Sequence, residues 1–206
     1  MATGHSVESW CHLSCAVELK SQEMDIKIET PRLCLRTLQE EDVSQAYVDW
    51  LNDPEVNRYL ETRHALQTLA SCSDFVKRCN SEKSERLLGV FLRESQSHIG
   101  NVKLGFIDDI HSRGQISLFI GEKTLWGRGF AREIVYAITK YGFEEAGLER
   151  IEAGCYEENL SSLRVFLSVG YTVEGFFRSH AVSESGRRTG CFWMGLLKHD
   201  FKLNQS

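Results

Sequence analysis

Trp126-Gly127-Arg128-Gly129-Phe130-Ala131 decides how this chain reads, because of what flanks it. Before it, Gln115 to Ile120 reads as a strand. After it, Ala131 to Phe143 carries the apolar spacing of an amphipathic helix. A glycine-rich turn between a strand and a helix start leaves backbone N–H groups unpaired at the positive end of the helix dipole. That is a ready pocket for a phosphate or diphosphate. Gly127 and Gly129 let the backbone approach the anion, and no side chain is needed to bind it. The stretch has no Gly-Lys-Ser/Thr ending, and no Gly-x-Gly-x-x-Gly can be read after a first strand, so it is neither a nucleoside-triphosphate loop nor a dinucleotide fingerprint. Two readings remain on these residues alone: a phosphorylated cofactor of another kind, or a glycine turn without a ligand.

Working outward, Asn159-Leu-Ser-Ser162-Leu-Arg-Val-Phe166-Leu-Ser168-Val-Gly170-Tyr171 follows a strand-like run, Arg150 to Tyr156. Asn159 is a good N-cap, and the helix it opens runs to Ser168 and stops at Gly170. With both segments in view, the chain resembles the GNAT acetyltransferase superfamily, which moves acetyl groups from acetyl-CoA to amines. Within it, the chain is similar to the branch that includes the ribosomal-protein alanine N-acetyltransferases. The opening Glu29-Thr-Pro-Arg-Leu-Cys-Leu-Arg36 resembles that branch too, so three separated motifs stand in the family order over roughly residues 24 to 200.

The resemblance implies a site. The family's loop, Gln/Arg-x-x-Gly-x-Gly/Ala, is matched by Gly129 and Ala131, with Trp126 in place of Gln or Arg. Trp126, Gly127, Arg128, Gly129, Phe130 and Ala131 would then hold the diphosphate of acetyl-CoA. Leu118, Phe119 and Ile120 would hold its pantetheine arm through their backbone, where central strands splay apart. Asn159 would hydrogen-bond that arm; on its own it reads equally as a helix cap. Phe166 stands where many members carry a tyrosine as general acid, and it has no proton to give. The branch places a serine three residues after the asparagine, and Ser162 occupies that position as the candidate partner of the departing thiolate. A hydroxyl there hydrogen-bonds sulfur more readily than it protonates it.

The base is less defined. A lysine-like amine has a pKa near ~10.4 and an α-amine near ~8, so the latter needs less help to attack as a neutral group. The branch's glutamate has no match here, because Ala181 falls at its place; His180, one residue earlier, and Glu122, just past the pantetheine strand, are the candidates. Trp50-Leu-Asn-Asp-Pro-Glu-Val-Asn-Arg58-Tyr59-Leu-Glu-Thr-Arg63 resembles the acceptor side of the branch, and also of acetyltransferases that modify amino sugars carried on nucleotides. Trp50 and Tyr59 are placed to stack on a sugar or base, and Arg58 or Arg63 to meet a phosphate. For Trp50 the helical spacing favours a core position.

Composition bounds what else the chain can be. Its 206 residues suffice for one domain with a full core, and 42% hydrophobic with 26% charged residues is ordinary for a globular protein. A net charge of −5 without a Lys/Arg cluster argues against nonspecific nucleic-acid binding. The apolar runs are too short to span a membrane, and no signal-peptide core is present at the N-terminus, so the expected location is cytoplasmic. Seven scattered cysteines fit reduced thiols; Cys34, Cys155 and Cys191 sit in apparent strands as small hydrophobes. Cys11-His12-x-x-Cys15 lacks a second ligand pair, so no metal is expected.

Along the chain, residues 1–23 show no period and are expected to be a loosely packed extension, with the domain running from 24 to 206. Strand-like runs are expected at Ile26–Arg36, Leu87–Arg93, Ile99–Ile107, Thr172–Val182 and Gly190–His199, and helices at Glu41–Leu51 and Leu66–Asn80. The fold class is α/β (α+β), one domain with a mixed, mostly antiparallel sheet flanked by helices. The expected function is acetyl transfer from acetyl-CoA to a primary amine by direct attack in a ternary complex. The acceptor is a protein N-terminus or a small-molecule or nucleotide-linked amino sugar, and the protein is a monomer or homodimer. The competing readings are an acyl-CoA-binding module without catalysis and a phosphate-binding domain that takes no CoA.

Overall fold

The computed structural model describes residues 25–183 and 186–201. The expected extension, residues 1–23, lies outside them. Eight strands, β1 (Lys27–Glu29), β2 (Leu33–Thr37), β3 (Arg86–Leu92), β4 (His98–Asp108), β5 (Arg113–Ile120), β6 (Arg150–Tyr156), β7 (Thr172–Val182) and β8 (Arg188–Leu197), form one sheet in the order β1-β2-β3-β4-β5-β6-β8-β7. Every pairing is antiparallel except β5 with β6. The helices are α1 (Gln45–Asn52), α2 (Pro54–Asn57), α3 (Leu69–Ser81), α4 (Phe130–Glu144) and α5 (Leu160–Val169).

The two faces of the sheet carry separate cores. The side chains of β2 alternate, so Leu33 and Leu35 join the core under α4 and α5, while Cys34 joins the one under α1 and α3. β3 divides the same way, Leu88 and Val90 against Leu87 and Phe91. α4 buries Ile134, Val135, Ile138 and Tyr141, one stripe at helical spacing. Each such side chain contributes about 1.5–3 kcal/mol by leaving water.

The mixed, mostly antiparallel sheet flanked by helices and most elements agree with the sequence reading, and four segments differ in their bounds. Ile26–Arg36 is not one strand but the hairpin β1–β2, turned at Pro31, with the Thr30 hydroxyl accepting from the Leu33 amide at 2.9 Å. Proline has no N–H for a ladder and the reversal is built around it. The first helix starts at Gln45 rather than Glu41, because Ser44 accepts from the Tyr47 amide and caps it there; Val48 is buried and Ala46 is exposed. Leu66 lies outside α3, which begins after a Thr68/Ser71 capping box. β8 spans Arg188–Leu197 and gives way to a 3-10 turn at Lys198–Asp200.

The feature that positions the site is the short contact between β5 and β6. They pair only at Arg113–Arg150, Gly114–Ile151 and Gln115–Glu152. β5 then stays with β4 as far as Ile120, and β6 stays with β8 as far as Tyr156. Their C-terminal halves therefore part inside the sheet. Among the described residues, no helix is long and apolar enough to cross a membrane.

Candidate functional site

On one side of the gap, β5 runs into the glycine-rich turn and α4. Gly127 and Gly129 have φ of 74° and 79°, backbone that disfavours most side chains. Gly129 is the N-cap of α4, and among the described residues no side chain caps the amides that follow. A β-carbon on Gly127 would meet nothing within 4 Å. α5 makes the contrast: there the Asn159 side chain accepts from the Ser162 amide at 3.2 Å. The open donors at α4 fit an anion. Ala131 is half-buried and Phe130 points its side chain into the core, so these residues bring backbone rather than side chains to the turn. Trp126 is 43% exposed, and its indole N–H donates to the Ile120 carbonyl at 2.8 Å, tying the turn to the strand end.

The turn is held from a distance by Arg32, in the β1–β2 turn. Its Nη1 donates to the Arg128 carbonyl at 2.9 Å, its Nε to Glu133 Oε2 at 2.7 Å, and its plane lies 4.1 Å from the centre of the Phe130 ring. Glu133 also accepts from the Thr30 hydroxyl at 2.6 Å and the Arg32 amide at 3.0 Å. Burial alone would raise the Glu133 pKa, but these hydrogen bonds hold it below its ordinary value. Sequence reasoning missed this clamp. The only local signal was Arg32 in the Glu29–Arg36 motif.

Leu118 and Ile120 pack on the core under α4, and Phe119 points the other way, stacked on Tyr47 at 6.2 Å between ring centres. Trp50 lies flat against the next residue: a β-carbon on Gly121 would stand 2.0 Å from its ring. Its edge faces the His98 ring, 5.3 Å between centres. The structure thus seats Trp50 as a support beneath the strand end. His98 is itself half-buried, with Nε2 2.8 Å from Asn101 Oδ1 and 3.0 Å from the Gly100 carbonyl, and its loss of solvation lowers its pKa. Glu122, a candidate base, accepts from the hydroxyl and amide of Thr124 at 2.6 and 3.2 Å. Those bonds lower its pKa, which suits a cap better than a proton acceptor. Beside it Lys123 reaches Asp53 at 2.7 Å and Glu55 at 2.6 Å, joining the strand end to α2.

A cleft of about 460 Å³ opens here. Glu55, with Arg58 and Tyr59 just past α2, forms one wall; Trp126 and the start of α5, Glu158, Asn159 and Ser161, form the rest. The structure brings Trp126, Arg58, Tyr59 and Asn159 together, four of the sequence-derived candidates. The Arg58 guanidinium lies 5.3 Å from the Tyr59 ring centre. Ser162 is half-buried in the first turn of α5, next to the cleft-lining Ser161. Phe166 is buried in the core against Tyr171, so a tyrosine there would turn its hydroxyl away from solvent. His180 is exposed on a bulged part of β7, its ring tilted against Phe177, and does not line the cleft.

The last residue of β6, Tyr156, was not singled out in the sequence. Its ring lies 5.9 Å from that of Tyr59. Its hydroxyl donates to the Glu61 carboxylate and accepts from Arg63 Nη2 at 2.8 Å. Burial, and then the Glu61 hydrogen bond, raise its pKa. Arg63 is committed to structure: it also donates to the Leu60 and Val182 carbonyls at 2.7 and 2.8 Å, which ties the early helices to the end of β7. It is not free to meet a substrate phosphate.

The model of the acetyltransferase (GNAT) domain matches residues 32–172. The chain is 29% identical over 175 residues to the uncharacterized N-acetyltransferase p20 of Bacillus licheniformis, covering 84% of this chain and 96% of that protein. It is 30% identical over 155 residues to the uncharacterized N-acetyltransferase YoaA of Bacillus subtilis, covering 74% and 86%. Among solved structures, spermidine N-acetyltransferase from Vibrio cholerae in complex with CoA and spermine superposes with a TM-score of 0.75 at 21% identity, over 84% of this chain and 99% of that one.

Proposed function

This chain belongs to the acetyltransferase (GNAT) family, and from that premise we propose that it acetylates a small primary amine held in the cleft beside α2. It is an acetyl-CoA-dependent N-acetyltransferase. The observation that carries the acceptor reading is the cleft: about 460 Å³, lined by charged, polar and aromatic side chains from the segments that follow the ends of β5 and β6 and from α2. That size suits a small ligand. Its wall carries Glu55 and Glu158 beside Arg58, and Glu55 is already paired with Lys123, so the size and polar lining of the cleft carry the reading rather than its charge.

The residues present fit acetyl-CoA. The uncapped α4 amides from Gly129 onward take the diphosphate, and the β5 edge at Leu118–Ile120, unpaired toward β6, takes the pantetheine arm. When bound, acetyl-CoA supplies the acyl thioester. The chain does the remaining work. Asn159 holds the start of α5 and faces the cleft. Ser162 is assigned the hydrogen bond to the departing sulfur. Tyr156, behind Tyr59 at the end of β6, is assigned the hydrogen-bonded link between the acceptor side and exposed Glu61. His180 and Glu122 remain weaker assignments for the base, one because of its place and the other because of its lowered pKa.

The test is CoA release from acetyl-CoA across amino sugars free and nucleotide-linked, polyamines, amino acids and peptides with free N-termini. Turnover with a small amine supports the reading. Turnover confined to peptides moves the acceptor to a protein N-terminus. Binding of acetyl-CoA with no amine-dependent release leaves a binding module and overturns it.

A further inference from the structure

We propose that Arg32 is itself part of the cofactor site, its guanidinium meeting the diphosphate of acetyl-CoA and offsetting the Glu133 carboxylate beside it. This rests on the α4 turn being the diphosphate site.

The argument begins with a charge conflict. Glu133 stands in the first turn of α4. A carboxylate there is favourable to the helix dipole when no ligand competes. A diphosphate docked on the same amides brings further negative charge to the same place, and like charges at short range repel. Arg32 is the cation set between them. Nε is taken by Glu133 and Nη1 by the Arg128 carbonyl. Nη2 has no partner among the described residues and lies 3.7 Å from where a Gly129 β-carbon would stand, beside the N-cap of α4. The Arg32 side chain is 44% exposed, so it is open to a ligand, and its guanidinium lies over the Phe130 ring. A guanidinium held by two of its nitrogens with the third free is suited to a phosphate oxygen, which accepts a short charge-assisted hydrogen bond. The Thr30 hydroxyl and the Arg32 amide, both bonded to Glu133, keep the carboxylate turned toward the hairpin. The β1–β2 hairpin, at the sheet edge, is thus recruited to a site about a hundred residues away in sequence.

The test compares CoA affinity by calorimetry with the KM for S-acetylpantetheine, which lacks the diphosphate. Arg32→Gln is expected to weaken CoA binding roughly 10- to 100-fold, the range of a charged hydrogen bond, and to move the S-acetylpantetheine KM less than about twofold. Adding Glu133→Gln in that background should recover several-fold of the loss, because the repelling charge is gone. Glu133→Gln alone, which keeps the guanidinium, should bind CoA at least as tightly as the unaltered chain, and it carries the test should Arg32→Gln fail to fold. CoA affinity within twofold in Arg32→Gln overturns the proposal, as does an equal loss with S-acetylpantetheine or weaker CoA binding in Glu133→Gln alone. Gly129→Asp run alongside separates the two readings. If it weakens CoA and Arg32→Gln does not, only the Arg32 role falls; if it too has no effect, the diphosphate site itself is elsewhere.

Discussion

The cofactor wall of the cleft offers backbone, and the acceptor wall offers side chains. At the start of α4 the ligand-facing groups are amides freed by two glycines at positive φ, within six consecutive residues. On the acceptor side the wall is Glu55, Arg58 and Tyr59, and Tyr59 is backed by a network of Tyr156, Glu61, Arg63 and the Val182 carbonyl drawn from three stretches of chain. A backbone site is insensitive to most side-chain changes and sensitive to any that alter φ or put charge on the turn. A side-chain network can be retuned one residue at a time.

Each prediction tests one side of that contrast. The largest effect is expected at Gly129→Asp, which puts a carboxylate on the anion-facing turn. CoA affinity should fall about 100-fold or more with the fold kept and the melting temperature a few degrees lower, the cost of a side chain at positive φ, by calorimetry and thermal unfolding. Next is Ser162→Ala. kcat should fall by up to about 100-fold, the low end of general-acid effects, with a smaller change in KM for acetyl-CoA. A kcat within error would make Ser162 a plain helix-start residue. Tyr156→Phe removes the hydroxyl between Glu61 and Arg63; a loss of about 0.5–2 kcal/mol in stability and a several-fold rise in acceptor KM are expected, with CoA affinity unchanged. A change in CoA affinity would break the separation of the two walls.

Below these comes pH. Burial holds the His98 pKa below its ordinary value near ~6.5, so the unfolded chain takes a proton that the folded chain refuses. Stability should be full above about pH 6.5 and fall as pH drops below it, by at most ~1.4 kcal/mol per unit from this group. Unfolding free energies between pH 7.5 and 5, with His98→Gln as reference, measure it; an equal slope in both removes His98 as the cause. The smallest effect is expected from Lys123→Ala. Its pairs with Asp53 and Glu55 are well exposed, and the melting temperature should move by no more than about 2 °C.

The strand, glycine turn and helix at 113–144 were legible because their signals are local: alternation, positive-φ glycines, apolar helical spacing. So was α5, with Asn159 and Gly170 at its ends. Trp50 and Tyr59 carried an ambiguous signal, an aromatic at helical spacing or near a turn, and only packing separated them, one under Gly121 and the other in the cleft wall. Arg32, Glu133 and Tyr156 were not legible as a set. Each is an ordinary residue in its own segment, and its role comes from a partner about a hundred residues away.

The sequence by itself therefore determined the family, the order of elements and the glycine turn that leaves the first amides of α4 uncapped, since backbone conformation follows from nearby residues. Only the tertiary structure decided which strands part, which charges meet across the gap and which arginine is free to touch a ligand. Those depend on distances between segments remote in the chain, and the energies involved arise only once the two cores have brought the segments together.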